Sequence, residues 1–415
     1  MSDLAQAIAI AAFTVLIGVE WYVERVRAGR LGRRTGYPFH DSITNLSIGL
    51  GSVLFGGIAV LQGVTVHRFL DEHAALVTLP GDSVGVWIGV TIAVDLCFYW
   101  SHRAMHRVSF LWTVHAPHHQ SDQFNLLVAL RIAWFSVFFS WIFYAPLALL
   151  GVTLGVTLLA RGISSLYQFL LHTRLVGKLG VLEYVFNTPS HHRVHHGKDA
   201  RYLDRNYGGI LIIWDRMFGT FAAEDEEPTY GTRRPFDSFD PVWSNAIEWV
   251  RLARMTRATR RVRDKVQLWL RPPEWRPADL AAAGEPAEAD AGAAAASPAR
   301  RATVPRPIDV YIAVNFVLAL GAAMLSLLYS DRVTAGGSAL LAAELLAAFV
   351  VWGALIEARR WAFWLEWARL GSLAALAVVF GAVAAGSLAV ALALALAAVA
   401  GLGAWSTRLA AIARA

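Results

Sequence analysis

Cysteine is almost absent from this chain of 415 residues, in which Cys97 is the only one. An intrachain disulfide is therefore impossible, and so are zinc and iron–sulfur sites that need several thiolates. Charged residues are also scarce, at 16%, whereas hydrophobic residues reach 56%. Apolar runs of on the order of 20 residues, enough to cross a bilayer, recur along the chain. These features exclude an ordinary soluble protein and predict an all-α, polytopic membrane helical bundle.

The net charge of +6 comes from arginine blocks at the ends of the apolar runs, such as residues 25–34 and 251–271. This placement is typical of the positive-inside rule and of contact with anionic lipid head groups. No nucleic-acid-binding motif is present, so we expect no nucleic-acid partner. Arginine exceeds lysine and alanine is abundant, which favours a bacterial inner-membrane protein. The arginine blocks and the histidine segments described below are expected on one face, the cytoplasmic one.

Membrane helices are predicted from Leu4 to about Val26, from about Thr44 to Val66, and from about Val84 to Trp100. The first run lacks a basic start and a small-residue cleavage site, so we expect a retained helix. Residues 126–171 are apolar and interrupted by Pro146 and Gly151, which predicts a helical hairpin. Residues 242–270 are amphipathic and basic, as expected for a helix on the membrane surface.

Composition divides the chain into three parts. We predict a catalytic membrane domain over 1–275, a flexible Ala- and Pro-rich linker over 276–307, and a C-terminal transmembrane domain over 308–415. The last part contains four hydrophobic runs, at about 308–329, 337–356, 367–383 and 386–405.

Ten of the thirteen histidines lie in four short segments at the ends of apolar runs. Positions i, i+3 and i+4 share one helix face, so the imidazoles within a segment can converge. So many imidazoles on one face pack poorly unless they bind something, and the pattern predicts more than one transition-metal ion. The segments contain His102 and His106; His115, His118 and His119; His172; and His191, His192, His195 and His196.

Imidazole suits iron, zinc, copper or nickel, and eight to ten imidazoles are too many for one ion. We expect two ions of coordination number five or six. Asp95 precedes His102 by seven residues on the same face, so it is expected to accept a ring N–H from a ligand histidine, or to pair with Arg103. Weaker candidates for such supporting contacts are Asn125, Asn187, Asp199 and Asp204.

The order HxxxH, HxxHH and HxxHH within membrane helices resembles the fatty acid hydroxylase/sterol desaturase superfamily, and most of all its alkylglycerol monooxygenase-like branch. The resemblance covers about residues 10–270. It is carried by DLCFYWSHRAMH at 95–106, HAPHHQS at 115–121, NTPSHHRVHHG at 187–197 and NYGGILIIWDRMFGTF at 206–221.

This resemblance implies a non-haem di-iron centre that activates O2 for oxidation of lipid C–H bonds. The implied catalytic ligands are His102, His106, His115, His118, His119, His192, His195 and His196. His172 matches a further family histidine, and His191 is an additional metal-ligand candidate. The animal alkylglycerol enzymes have a glutamate where this chain has Arg107, which weighs against pterin dependence and an ether-lipid substrate.

We therefore expect an integral membrane oxygenase that hydroxylates an alkyl C–H of a fatty acyl, sterol-like or ether lipid. The chain lacks a His-Pro-Gly-Gly haem segment and a dinucleotide glycine motif, so electrons must come from a separate reductase, ferredoxin, cytochrome or reduced pterin. A lipid desaturase with the same di-iron site is the nearest alternative. A metal transporter is a more distant alternative, because the histidines crowd at span ends instead of the bilayer midplane. A non-catalytic sensor or scaffold is another, and the intact ligand set argues against it.

Overall fold

The computed structural model describes residues 3–31, 36–77, 79–80, 83–282, 304–328, 334–385, 401, 403 and 405. Within these ranges the regular elements are helices, apart from two isolated β-bridges, Phe186 with Leu211 and Gly197 with Tyr230. The all-α prediction is confirmed. Contacts divide the chain into two compact units.

The first unit, Met1–Phe236 with Asn245–Ala293, contains eleven whole α-helices, all but the first four residues of α10, and two short 3-10 turns in the part that is described. The helices are α1 (Asp3–Leu31), α2 (Phe39–Ala74), α3 (Val84–Arg107), α4 (Ser109–Trp112), α5 (Ala116–His119), α6 (Ser136–Leu149), α7 (Leu154–Leu171), α8 (Pro189–His195), α9 (Ile213–Met217), α10 (Pro241–Ala258), α11 (Val262–Leu270) and α12 (Ala278–Ala282). The turns are Val128–Leu130 and Gly180–Tyr184.

Four described helices are long and apolar enough to cross a membrane. They are α3 and α7 of the first unit and two helices of the second unit, and the count is five if the bent α2 forms one span. The prediction of a multi-pass membrane protein is confirmed.

Helix α3 does not end at Trp100 as predicted but continues to Arg107. No proline or glycine interrupts residues 101–107, so the backbone hydrogen bonding persists. His102 and His106 therefore lie on the helix itself, one turn apart. The predicted hairpin does break near Gly151, whose φ of 72° is left-handed. Its first ten residues, however, form no α-helix, and only Val128–Leu130 makes a 3-10 turn there.

Helices α6 and α7 each pack against α3, around a core that includes Val90, Val94, Leu147 and Ala160. Lipid tails are as apolar as these side chains, so van der Waals packing holds the helices together, more than removal from water. The packing orients the C-terminal ends of α3 and α7, from which His102, His106 and His172 extend.

The amphipathic stretch forms two helices instead of one, because α10 ends at Ala258 and α11 begins at Val262. Their apolar faces meet through Leu252, Met255 and Leu268. The polar segment between α7 and α10 has only short helices. Many of its backbone N–H groups are hydrogen-bonded to buried side chains instead of to other backbone groups. Asp215, for example, accepts the backbone N–H groups of Tyr207 and Gly208, both at 2.8 Å.

The second unit, Asp237–Ser244 with Ala294–Ala415, contains α13 (Arg306–Leu328), α14 (Ala335–Ile356) and α15 (Ala362–Ala385). These helices match three of the four predicted C-terminal runs; most of the fourth lies outside the described residues. Residues 283–303 of the predicted linker also lie outside them, and the short α12 falls within the linker's start. The predicted three-part domain division remains a prediction.

Candidate metal centre

Nine of the ten predicted histidines converge into two buried groups. Within each group the candidate ligand nitrogens all lie within 4.8 Å of one another. The five-histidine group comprises His102, His106, His115, His119 and His195. The four-histidine group comprises His118, His172, His192 and His196.

The ring nitrogens approach each other closely inside each group. His115 Nε2 lies 3.0 Å from His102 Nε2 and 3.1 Å from His119 Nε2. In the second group, His172 Nε2 lies 3.2 Å from His118 Nε2 and 3.0 Å from His192 Nε2. Helices α3, α5 and α8 and the end of α7 supply these rings, so each group joins separate chain segments.

The two groups adjoin each other. His119 of the first group stacks on His196 of the second, with ring centroids 4.4 Å apart. The HxxHH spacing produces this arrangement, because one segment contributes rings to both groups. His115 and His119 belong to the first group and His118 to the second. Likewise, His195 belongs to the first group and His196 to the second.

Backbone carbonyls fix the protonation of three rings. His102 Nδ1 lies 2.9 Å from the Tyr207 carbonyl, His172 Nδ1 2.8 Å from the Gln168 carbonyl, and His195 Nδ1 2.9 Å from the Arg205 carbonyl. A carbonyl oxygen can only accept, so each Nδ1 carries the hydrogen. In the neutral ring the Nε2 lone pair is then free to bind a cation, and three such lone pairs face into the groups.

Three ring nitrogens inside the groups are buried without a hydrogen-bond partner: His106 Nε2, His195 Nε2 and His196 Nε2. An unsatisfied buried polar atom costs about 1–3 kcal/mol. Lone pairs that face each other cannot satisfy one another, whereas a metal cation satisfies several at once. The donor set, nine imidazoles and no thiolate, fits a pair of borderline transition-metal ions such as iron.

Burial also keeps these rings in the ligand form. Desolvation, followed by neighbouring imidazoles, lowers the pKa of His115, His119, His195 and His196 well below the usual value. The pKa of His172 falls to about 4, again mainly through desolvation. The rings outside the spans are therefore neutral near pH 7, as metal binding requires.

The predicted role of Asp95 as a partner of a ligand histidine is wrong, and so is its pairing with Arg103. Asp95 accepts the backbone N–H groups of Ile210 and Leu211 at 2.6 and 2.9 Å, and the indole N–H of Trp214 at 2.9 Å. It thereby anchors the 206–214 loop against α3. That loop carries the Tyr207 carbonyl that contacts His102, so Asp95 acts on the site through the backbone.

Of the four weaker candidates for supporting contacts, only Asp204 approaches a ring of the two groups. Its carboxylate lies 3.5 Å from His106 Nδ1 and also pairs with Arg107. Asn125 and Asn187 instead donate to backbone carbonyls, and Asp199 accepts the backbone N–H of Thr229.

His191 lies in neither group. Its ring packs edge-on against Phe221, with centroids 5.4 Å apart, although its three neighbouring histidines on the same segment all belong to a group. Position i−1 relative to His192 points about 100° away around the helix, which explains the exclusion.

Sequence reasoning missed two buried charged residues that hold the histidine segments. Arg131, 1% exposed, donates to the Pro117 carbonyl, to Asn45 Oδ1 and to Gln120 Oε1, and so secures the segment with His115, His118 and His119. Glu20 of α1 accepts from Thr173, the neighbour of His172, and from the Leu126 N–H. A charge inside an apolar run was the available signal, since such a charge needs a partner.

A cavity of about 270 Å³ reaches the five-histidine group. His106, His119, His195 and Trp112 line it, together with His196 of the four-histidine group. Polar side chains line the rest, among them Lys198, Asp204, Arg233, Glu248 and Glu274. The histidine groups therefore have a polar approach as well as the apolar helices beside them.

Residues 87–220 match the family model described as fatty acid hydroxylase. The chain is 40% identical to the alkylglycerol monooxygenase of Homo sapiens over 228 residues, 54% of this chain and 48% of the relative. It is 44% identical to the alkylglycerol monooxygenase of Danio rerio over 205 residues, 49% of this chain and 46% of the relative. It is also 34% identical to the ornithine lipid hydroxylase OlsE of Rhizobium tropici over 137 residues, 33% of this chain and 41% of the relative.

The chain thus spans about half the length of the curated relatives it matches. No solved structure matches it significantly. The matched region contains the segments that build both histidine groups. Residues 87–220 of this membrane protein are therefore similar to the fatty acid hydroxylase family.

Proposed function

We propose that this chain is a membrane-bound di-iron oxygenase that hydroxylates an alkyl C–H bond of a lipid. The observation that carries the proposal is the pair of adjoining imidazole groups, in which the buried Nε2 atoms of His106, His195 and His196 have no hydrogen-bond partner. The relatives named as lipid monooxygenases and hydroxylases support the same chemistry.

In this proposal each group holds one iron ion, with the five-histidine and four-histidine sets as ligands. Bound iron would supply O2 activation and the oxidation of the C–H bond. The protein would bind the iron and orient its ligands. The Tyr207, Gln168 and Arg205 carbonyls hold His102, His172 and His195 with their Nε2 lone pairs inward. Burial lowers the pKa of His172 and His195 and so keeps these two rings neutral near pH 7.

The lipid substrate is proposed to enter between membrane helices, with its polar end towards the 270 Å³ cavity. Electrons would come from a separate redox partner, because the chain carries no haem or dinucleotide motif. We further propose that the histidine groups lie on the cytoplasmic face of a bacterial inner membrane, on the basis of the arginine placement.

The test is iron analysis of the purified protein together with oxygen-dependent product analysis in cells that do or do not express it. We expect about two iron ions per chain and a new hydroxylated lipid that requires O2. His118→Ala and His195→Ala should abolish the product while the protein still inserts. Near-native product with either variant, or less than one metal ion per folded chain, would contradict the proposal.

Desaturation is the second candidate, because a Delta(7)-sterol 5(6)-desaturase of Aspergillus fumigatus is 28% identical over 146 residues. The product distinguishes the two reactions, since an alcohol gains an oxygen atom and an alkene loses two hydrogens.

A further inference from the structure

A second cavity, of about 200 Å³, lies among α2, α6 and α7, away from both histidine groups. On α7, Arg161 of this cavity precedes His172 by eleven residues, which is about 16 Å along a helix. Much of the lining is apolar, including Val64, Leu70 and Val137. Its polar lining residues are His67, Trp141, Tyr144, Thr157, Arg161 and Ser165.

Two polar atoms in this lining are buried without a partner. Thr157 is 3% exposed and its Oγ1 contacts no hydrogen-bonding atom. The Trp141 indole nitrogen is likewise buried and unsatisfied. Both groups can donate a hydrogen bond, and leaving a donor buried and unpaired is costly. An acceptor inside the cavity would satisfy both.

Arg161 adds a positive charge to the same lining. It lies in a candidate membrane span, where a charge is costly unless it is paired. Its guanidinium lies over the Tyr144 ring, 4.2 Å from the centroid, and also reaches that tyrosine's hydroxyl. No ion pair with an acidic side chain forms at Arg161 within the described ranges.

The second unit offers an instructive contrast. Arg369 of α15 is buried, whereas Arg161 is half-buried, and two carboxylates neutralise Arg369, Glu366 at 2.6 Å and Glu344 at 2.8 Å. At that position the positive charge of the arginine is compensated by acidic side chains. Arg161 lacks them and lines a cavity with two further free donors.

We propose that this cavity binds one acidic amphiphile. An anionic oxygen of its head group would pair with Arg161 and accept from the Trp141 N–H and the Thr157 hydroxyl, while its alkyl chain lies along the apolar lining. Carboxylate and phosphate oxygens share this chemistry, so the ligand is a free fatty acid or an anionic phospholipid. The proposal does not depend on the oxidation chemistry at the histidine groups.

The test measures equilibrium binding of labelled oleate and of labelled phosphatidylglycerol to the purified full-length protein in detergent. We expect one of the two anions to bind at about one per chain, which identifies the source. Oleyl alcohol, of equal length but uncharged, should compete poorly. Arg161→Gln should weaken binding about tenfold or more, and Thr157→Val about fivefold, from the usual worth of charged and neutral hydrogen bonds.

Arg68→Gln is the matched control, because Arg68 is an exposed residue of α2 that does not line the cavity. This variant loses the same charge and should bind as the unchanged protein does. Three results would overturn the proposal: neither anion binds, oleyl alcohol competes as well as oleate, or Arg161→Gln binds like Arg68→Gln. If Arg161→Gln does not fold, Thr157→Val decides, since it keeps the side-chain shape and removes only the hydroxyl.

Discussion

Adjacent residues of this chain have very different surroundings. His192 belongs to the four-histidine group and its Nε2 lies 3.0 Å from that of His172, whereas His191 packs against Phe221 outside both groups. Both rings are buried and both belong to the same helix, α8. Burial and local sequence therefore do not distinguish a candidate ligand from a packing residue. The direction in which the side chain points distinguishes them.

The pair permits a direct mutational comparison. If the proposed function holds, His192→Ala should lose at least one iron ion per chain and nearly all turnover, because it removes a proposed ligand. His191→Ala should keep its iron and most of its turnover, because its ring points elsewhere. Elemental analysis and product formation measure both effects. Loss of iron from a folded His191→Ala protein would show that the ligand set is larger than nine.

At the scale of elements, the centre is held by segments that contribute no ligand. The loop from Asn206 to Trp214 has no long helix, but Asp95 and Asp215 both accept its backbone N–H groups. Gly209 makes this close approach possible. A Cβ on Gly209 would lie 2.5 Å from Asp95 Oδ1 and 2.9 Å from Phe98 Cδ1.

Gly209→Ala should therefore push Asp95 away, release the loop and withdraw the Tyr207 carbonyl from His102. We expect a loss of about 1–3 kcal/mol in stability, the usual cost of overpacking, and lower iron content. Gly89→Ala in α3 is the control, since its Cβ would meet no atom within 4 Å. Melting temperature and iron per chain are the measurements, and equal results for the two variants would contradict this role of the loop.

At the scale of the whole molecule, metal and fold depend on each other. Nine imidazoles, seven of them buried, form the meeting point of α3, α5, α8 and the end of α7. Without metal, the buried lone pairs that face each other have no donor to satisfy them. The folded-state pKa of His172 is about 4, whereas an unfolded histidine titrates near 6.5.

Metal-free protein should consequently lose stability as the pH falls from about 6.5 towards 4. In this window the unfolded chain binds protons that the folded chain cannot, so acidification favours unfolding. The melting temperature of chelator-treated protein in detergent, followed from about pH 8 to about pH 5, measures the effect. Metal-loaded protein should keep its melting temperature on acidification until protons displace the metal. A metal-free melting temperature that stays constant or rises on acidification would contradict it.

The proposed orientation in the membrane is testable with the single cysteine removed by Cys97→Ser. Leu76→Cys places a thiol in the loop before α3, where Leu76 is 77% exposed, and Ala200→Cys places one at an exposed position after the last histidine segment. An impermeant maleimide should label only the first in intact cells and both in lysed cells. The reverse pattern would place the histidine groups outside the cytoplasm.

The sequence alone determined the helical class, the multi-pass topology and the identity of nine converging histidines. These properties depend on composition, on apolar run length and on the helical spacing of a few residues, all of which are local. For the same reason it predicted the break near Gly151. The left-handed backbone conformation of this glycine separates α6 from α7.

Only the tertiary structure decided how the histidines divide into groups and what supports them. Asp95 shared a helix face with His102 and yet binds the 206–214 loop, and His191 shared a segment with three group members and yet points away. Such outcomes depend on which distant segment packs against each side chain. Hydrogen bonds between residues more than one hundred positions apart leave no spacing pattern in the chain, so the fold alone specifies them.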